Sequence, residues 1–134
     1  MSSTLQKKET IFSGKKVKLE LHHLEDYETG RRHDREVVVH PGAVVILPML
    51  PDETVLLIRT RRYAIHETIL ELPAGTLEPN ENPMNCAGRE LLEETGYLAT
   101  KMTHLSSFYS SPGILSEKLH AYLATGLEQG EQAL

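Results

Sequence analysis

Between Gly75 and Tyr97 the chain carries a run that commits it to one helix with a strongly acidic face. Asn82 suits an N-cap, where a short side-chain oxygen accepts amides of the first turn; Pro83 suits the first helical position, and Gly96 the residue after the last turn. The spacing predicts a helix over residues 83–95. Glu90 and Glu94, four residues apart, project from one face about one turn apart, with Glu93 beside them. Three carboxylates this close repel one another. Arg89, four residues before Glu93, offsets part of that repulsion, and divalent cations would offset more, since hard Mg²⁺ prefers carboxylate oxygens. Ala87, Gly88, Leu91 and Leu92 form a small or apolar face suited to packing on a sheet. An acidic helix alone is most often a solvated surface, so the flanking residues decide its meaning.

Around the helix the pattern is that of strands. Residues 15–24 alternate polar and apolar, the period of a half-buried strand. Residues 25–34 read as a polar turn or loop, and 36–40 as a second strand ended by Pro41-Gly42. Residues 43–47 and 54–59 read as a hairpin around Pro51-Asp52-Glu53. Residues 68–72, 105–109 and 119–125 complete the strands. The fold class is α+β around a mixed sheet.

Composition bounds the function. With 134 residues there is room for one domain of ordinary size. A formal net charge of −5 gives no global attraction to nucleic acid, though an acidic chain still binds phosphates through intervening metal ions. Cys86 is the single cysteine, so no intrachain disulfide forms; its place on the packed side of the helix reads as a small core residue. The N-terminus has no secretory apolar stretch, and no apolar run is long enough to span a bilayer. A cytoplasmic location is the expectation. The seven histidines show no zinc-ligand spacing, His22-His23 reads as an exposed strand end, and Phe12 and Tyr63 read as core rather than as stacking groups for a base.

Reading outward from the helix gives Gly75, Glu81, Arg89, Glu90, Leu91, Glu93, Glu94, Gly96 and Tyr97 at fixed spacing. Seven such polar or glycine positions would coincide by chance roughly once in 10⁸ starting points at ordinary residue frequencies. The pattern resembles the signature of Nudix hydrolases. That resemblance implies a Nudix-type α/β/α sandwich and hydrolysis of a pyrophosphate linked to another moiety, with Mg²⁺ as cofactor and Mn²⁺ as the alternative. It implies Glu90 and Glu94 as metal ligands, Glu93 as ligand or auxiliary, and the backbone carbonyl of Ala74 as a further ligand. Arg89 corresponds to an orienting ion-pair partner and Glu81 to a supporting position. Gly75 and Gly96 are expected to serve the backbone turns that bracket the helix.

The resemblance extends over residues 35–126. His40-Pro-Gly-Ala-Val, Ile58-Arg-Thr-Arg-Arg-Tyr63, Glu71-Leu-Pro-Ala-Gly75 and Ser111-Pro-Gly-Ile-Leu-Ser-Glu117 are similar to the ADP-ribose pyrophosphatase branch. Pro112, sixteen residues past Gly96, matches a marker of members acting on ADP-ribose, shared in part with enzymes of sugar nucleotides. Glu117 corresponds to the proposed general base of that branch, with Glu93 as the competing base, and Arg62 and Arg35 to substrate contacts. The implied reaction turns ADP-ribose into AMP and ribose 5-phosphate. Alternatives are hydrolysis of another nucleoside diphosphate sugar, and a nucleotide-sensing or inactive module. Residues 1–40 resemble an N-terminal strand extension through which such proteins form homodimers, leaving 41–134 as the hydrolase domain. Residues after Thr125 are too few for the C-terminal helix that relatives carry, so that helix is expected to be missing.

Overall fold

The computed structural model describes residues 2–130, over which the chain forms nine strands and one helix. The expectation about the last residues lies, for 131–134, outside the described part. The chain divides into two compact units, Met1–Pro41 with Tyr109–Glu117, and Gly42–Phe108 with Lys118–Leu134.

The first unit holds a three-stranded antiparallel sheet of β1 (Ser3–Ser13), β2 (Lys18–Asp26) and β3 (Arg32–Val39), in that order. β1 has almost every residue exposed, so no alternation of apolar and polar residues marks it. The loop expected over 25–34 narrows to a turn: the Asp26 carboxylate accepts amides from Glu28 and Thr29, both at 2.9 Å, and Gly30 takes φ 71°. His22 and His23 are not at a strand end but within β2, flanked by strands on both sides. His22 Nε2 lies 2.9 Å from Glu20, and His23 bridges Glu9 on β1 and Asp34 on β3 at 2.5 and 2.8 Å. The two carboxylates, Glu9 first, raise the proton affinity of His23. Phe12 is not core either: near the end of edge strand β1 it is 61% exposed. A second connection in this unit joins Val38 to Leu115 by a parallel bridge, with Val38 N–H donated to Ile114 O at 2.7 Å and Ser116 N–H to Val38 O at 2.9 Å.

The second unit is built on β4 (Ala43–Pro48), whose run Ala-Val-Val-Ile-Leu-Pro is apolar throughout, as expected of a strand covered on both faces. It pairs antiparallel with β7 (Ala74–Thr76) and parallel with β9 (Lys118–Gln129); β8 (Tyr97–Tyr109) lies beyond β9, giving the order β7-β4-β9-β8 and a mixed sheet. The hairpin expected between 43–47 and 54–59 does not form as a ladder. A strand has two hydrogen-bonding edges, and β7 and β9 occupy both edges of β4. Residues 49–56 instead make a tight turn, with Leu50 N–H donated to Thr54 O and a single bridge from Met49 to Val55. The chain then enters β5 (Ile58–Arg62), which pairs with β6 (Glu67–Glu71). Tyr63, just past β5, is 77% exposed, so the expectation of a core tyrosine fails as well.

Helix α1 (Pro83–Thr95) packs on β4, β7 and β9. Its ends are set locally: the Asn82 carboxamide accepts the amides of Met84 at 2.9 Å and Asn85 at 3.3 Å, and Gly96, at φ 77°, donates to Leu92 O. Cys86, Ala87 and Leu91 are fully buried against Val44, Ile46, Tyr122 and Ala124. Burying a side chain such as Leu91 contributes about 2 kcal/mol. Of the helix acids Glu93 is thereby turned outward, while Glu90 and Glu94 lie at the edge of the packed face.

Candidate active site

Burial of Cys86, Ala87 and Leu91 fixes the rotation of α1, and that rotation brings Glu90 and Glu94 together beside β7. The two carboxyl groups lie close enough to share a hydrogen bond, and Glu94 is pushed up to about 7, first by burial, then by the charge of Glu90 and the bond to it. A backbone hydrogen bond at Ala74 and the positive charge of Arg62 work in the opposite direction. One oxygen of Glu94, Oε2, is buried without a hydrogen-bond partner. A buried carboxylate oxygen in that state costs free energy unless a proton or a cation meets it.

Gly75 proves to matter for space rather than for a turn. It sits inside β7 opposite Val44, without positive φ, and a Cβ built there would lie 2.0 Å from Glu90 Cδ and 2.3 Å from Oε1. Only a residue without a side chain lets Glu90 lie over this backbone. Gly96 does serve a turn, as its left-handed conformation shows.

Arg89 organises the remaining acids. Its Nε and Nη2 donate to the two oxygens of Glu81, both at 2.9 Å, a fork-to-fork pair of the geometry favoured between guanidinium and carboxylate. Its Nη1 donates to Glu90 at 3.0 Å and to Glu93 at 3.3 Å. The Arg89 pair, with the Glu78 amide at 3.0 Å, draws the Glu81 carboxyl down to about 2. Arg89 is in turn held charged, chiefly by Glu81. Cys86 is driven up to about 12 by burial and by Glu81, which rules out thiolate chemistry near neutral pH. Glu93, half-exposed, is engaged by Arg89 and is not drawn into the Glu90–Glu94 pair. Among the described residues no three His, Cys, Asp or Glu side chains form a ready-made ligand set. Two neighbouring carboxylates, one with a buried oxygen that has no hydrogen-bond partner, suit a hard cation that keeps several waters, as Mg²⁺ does.

Arg62 lies on β5 and is clamped by Glu71 across the hairpin: Nε donates to Oε1 at 2.7 Å, and Nη2 to Oε2. Its charge is felt at Glu94. Glu71 opens a motif of the resemblance but has no role assigned in the sequence, because its partner is fixed only by the register of β5 on β6. Glu117 and Arg35 belong to the first unit. Arg35 is exposed on β3 opposite His22. Glu117 is no solvated loop acid: Ser110 Oγ donates to its Oε1 at 2.6 Å, His40 Nε2 stands 3.6 Å from its Oε2, and its side chain is 19% exposed. The same loop, through Pro112, Ile114 and Leu115 with Val37 and Tyr109, lines a cavity of about 260 Å³.

Comparison with known proteins places these residues in context. A family model described as the NUDIX domain matches residues 39–134. The chain is 43% identical over 127 residues to the ADP-ribose pyrophosphatase of Bacillus subtilis (strain 168), an alignment covering 93% of the chain and 67% of that protein. It is 42% identical over 127 residues to the methanol dehydrogenase activator of Bacillus methanolicus, covering 95% and 68%. Among solved structures, an ADP compounds hydrolase superposes with a TM-score of 0.85 at 28% identity, covering 98% of this chain and 71% of that one. The chain thus spans about two thirds of the length of these curated relatives.

Proposed function

The chain belongs to the Nudix hydrolase family, as a pyrophosphohydrolase of the ADP-ribose pyrophosphatase branch, and from that premise we propose that it hydrolyses the pyrophosphate bond of ADP-ribose, with Mg²⁺, to AMP and ribose 5-phosphate. The observation that carries the proposal is the Glu90–Glu94 pair with its unpartnered buried oxygen, lying within the matched residues. These donors fit a hard divalent cation: Glu90 and Glu94 would hold it, with the Ala74 carbonyl and Glu93 as the further ligands that the resemblance implies. A cation bound there neutralises charge on the phosphate oxygens and lowers the pKa of a water.

The chain's own groups do the rest. Arg89 keeps Glu90 oriented while Glu81 fixes Arg89. Arg62, its Nε and Nη2 pre-oriented by Glu71, keeps the outer Nη protons for a substrate phosphate, and Arg35 is the second candidate contact. Glu117 is assigned as the base that takes the proton of the attacking water, on the resemblance of its loop; Glu93 competes for that role. The water oxygen bonds to one phosphorus as the bridging P–O bond breaks, the bridging oxygen leaves on the other phosphate, and each product, AMP and ribose 5-phosphate, keeps one phosphate.

We further propose a homodimer formed through the 1–40 extension, supported by the exposed Ile11 and Phe12 on β1. A stable monomer in sedimentation at micromolar concentration would sink that part. Among the described residues no helix is long and apolar enough to cross a membrane, and a cytoplasmic location is proposed with the rest. The substrate is tested by Mg²⁺-dependent turnover of a panel of nucleoside diphosphate derivatives. ADP-ribose is expected to rank first; if it ranks well below sugar nucleotides, the substrate assignment is wrong and the nucleotide-sugar alternative stands.

A further inference from the structure

The Glu117 carboxylate is hydrogen-bonded at one oxygen and has a buried imidazole beside the other, from different parts of the first unit. Ser110, at the start of the 109–117 segment, donates its hydroxyl to Oε1 at 2.6 Å, a short charge-assisted bond. Ser110 N–H also donates to Glu117 O at 3.3 Å, closing the segment on itself. His40 Nε2 stands 3.6 Å from Oε2, beyond a hydrogen bond but within ion-pair reach, and both side chains are largely buried. His40 is itself tied to the segment: its N–H donates to Ser116 Oγ at 2.9 Å, and that hydroxyl lies 3.4 Å from His40 O. The residue after β3 and the residue before Glu117 are therefore one hydrogen-bonded unit, continued by the Val38 bonds to Ile114 and Ser116.

Loop carboxylates left to solvent sample several rotamers, and the side-chain entropy lost on fixing a glutamate is among the larger values. Two fixed partners on opposite oxygens remove that freedom before substrate arrives. We infer that Ser110 and His40 are positioning residues for Glu117, holding its carboxylate in one rotamer with one oxygen bonded and the other beside the imidazole. The inference rests on the reading of Glu117 as the general base. Neither residue is assigned contact with substrate; each acts through Glu117.

The test is a double-mutant cycle in Mg²⁺-dependent ADP-ribose hydrolysis, with thermal midpoints recorded for every variant. Glu117→Gln is expected to lower kcat by about 100-fold or more, the usual contribution of a general base. Ser110→Ala, at an exposed position that does not threaten folding, is expected to lower kcat by roughly 10-fold with KM and the thermal midpoint kept, on the scale of a misplaced reacting group. Ser110→Thr, which restores the hydroxyl, recovers the rate. In the Glu117→Gln background Ser110→Ala and His40→Gln change kcat no further, since residues acting through one group are not additive. An equal fall from Ser110→Ala in both backgrounds shows that Ser110 acts elsewhere and overturns the inference. So does an unchanged rate for Ser110→Ala when Glu117→Gln is impaired. If Glu117→Gln keeps the wild-type rate, the base assignment itself fails and the inference falls with it, an outcome distinct from the other two.

Discussion

Replacing Gly75 by alanine separates stability from activity at this site. The added Cβ would lie 2.0 Å from Glu90 Cδ, 2.3 Å from Oε1 and 2.4 Å from Cγ. Non-bonded carbons settle at about 3.5–4.0 Å, so the Glu90 carboxylate has to retreat by about 1.5 Å or more. Gly75 has no positive φ, so the backbone accepts alanine. The loss of unfolded-state freedom favours folding by about 0.4–1 kcal/mol. Forcing Glu90 off its rotamer costs about 0.5–1.5 kcal/mol, so the two nearly cancel. Function has no such tolerance. Carboxylate oxygens sit about 2.1 Å from Mg²⁺, and a misplacement of about 1 Å costs on the order of 100-fold in rate. Gly75→Ala is thus expected to melt close to the wild type while losing about 100-fold in Mg²⁺-dependent turnover. Turnover at the wild-type level would show that Glu90 is not displaced, or that its position does not matter for metal binding. A collapsed melting midpoint would refute the claim that its side chain yields cheaply.

Other outcomes follow from the same geometry. Asn82→Ala leaves the Met84 and Asn85 amides without their acceptor and is expected to cost about 1 kcal/mol, a drop of roughly 3–6 °C in thermal midpoint, with the helix retained by circular dichroism. Glu94 sits at about 7 against an ordinary 4.5, so between those values the folded chain keeps a proton that the unfolded chain has released. Its contribution to metal-free stability therefore falls as pH rises through that window, and Mg²⁺ should raise the midpoint more at about pH 8 than at about pH 5. Equal shifts at both values would contradict the assignment. Glu94→Gln should lessen the fall in metal-free stability with pH, because the amide carries no charge to desolvate; an unchanged slope would point to another group.

Helix α1 was legible in the sequence because its determinants are local: Asn82, Pro83 and Gly96 define its ends, and the four-residue spacing of Glu90 and Glu94 defines its acidic face. The hairpin expected after β4 was not formed, since local apolar runs cannot reveal that β9, more than seventy residues on, pairs with β4 in parallel. Periodicity did not mark β1, which only the resemblance covered as part of a strand extension, for a different reason. Exposed on nearly every residue, it has no apolar face to leave a period in the sequence. The Arg62–Glu71 clamp, the Ser110 bond to Glu117 and the approach of His40 to it depend on register and on loop closure, which no spacing rule encodes. Gly75 was visible as a required glycine, but its reason, the close passage of Glu90, belongs to the packing of α1 on β7.

Glu90 and Glu94 are proposed to serve metal-dependent hydrolysis of ADP-ribose. That role is tested most directly by product formation from ADP-ribose with Mg²⁺, comparing the wild-type chain with Glu94→Gln. AMP and ribose 5-phosphate are expected from the wild type, none without the metal, and a loss of about 100-fold or more in the variant. Turnover by Glu94→Gln at the wild-type rate would contradict it.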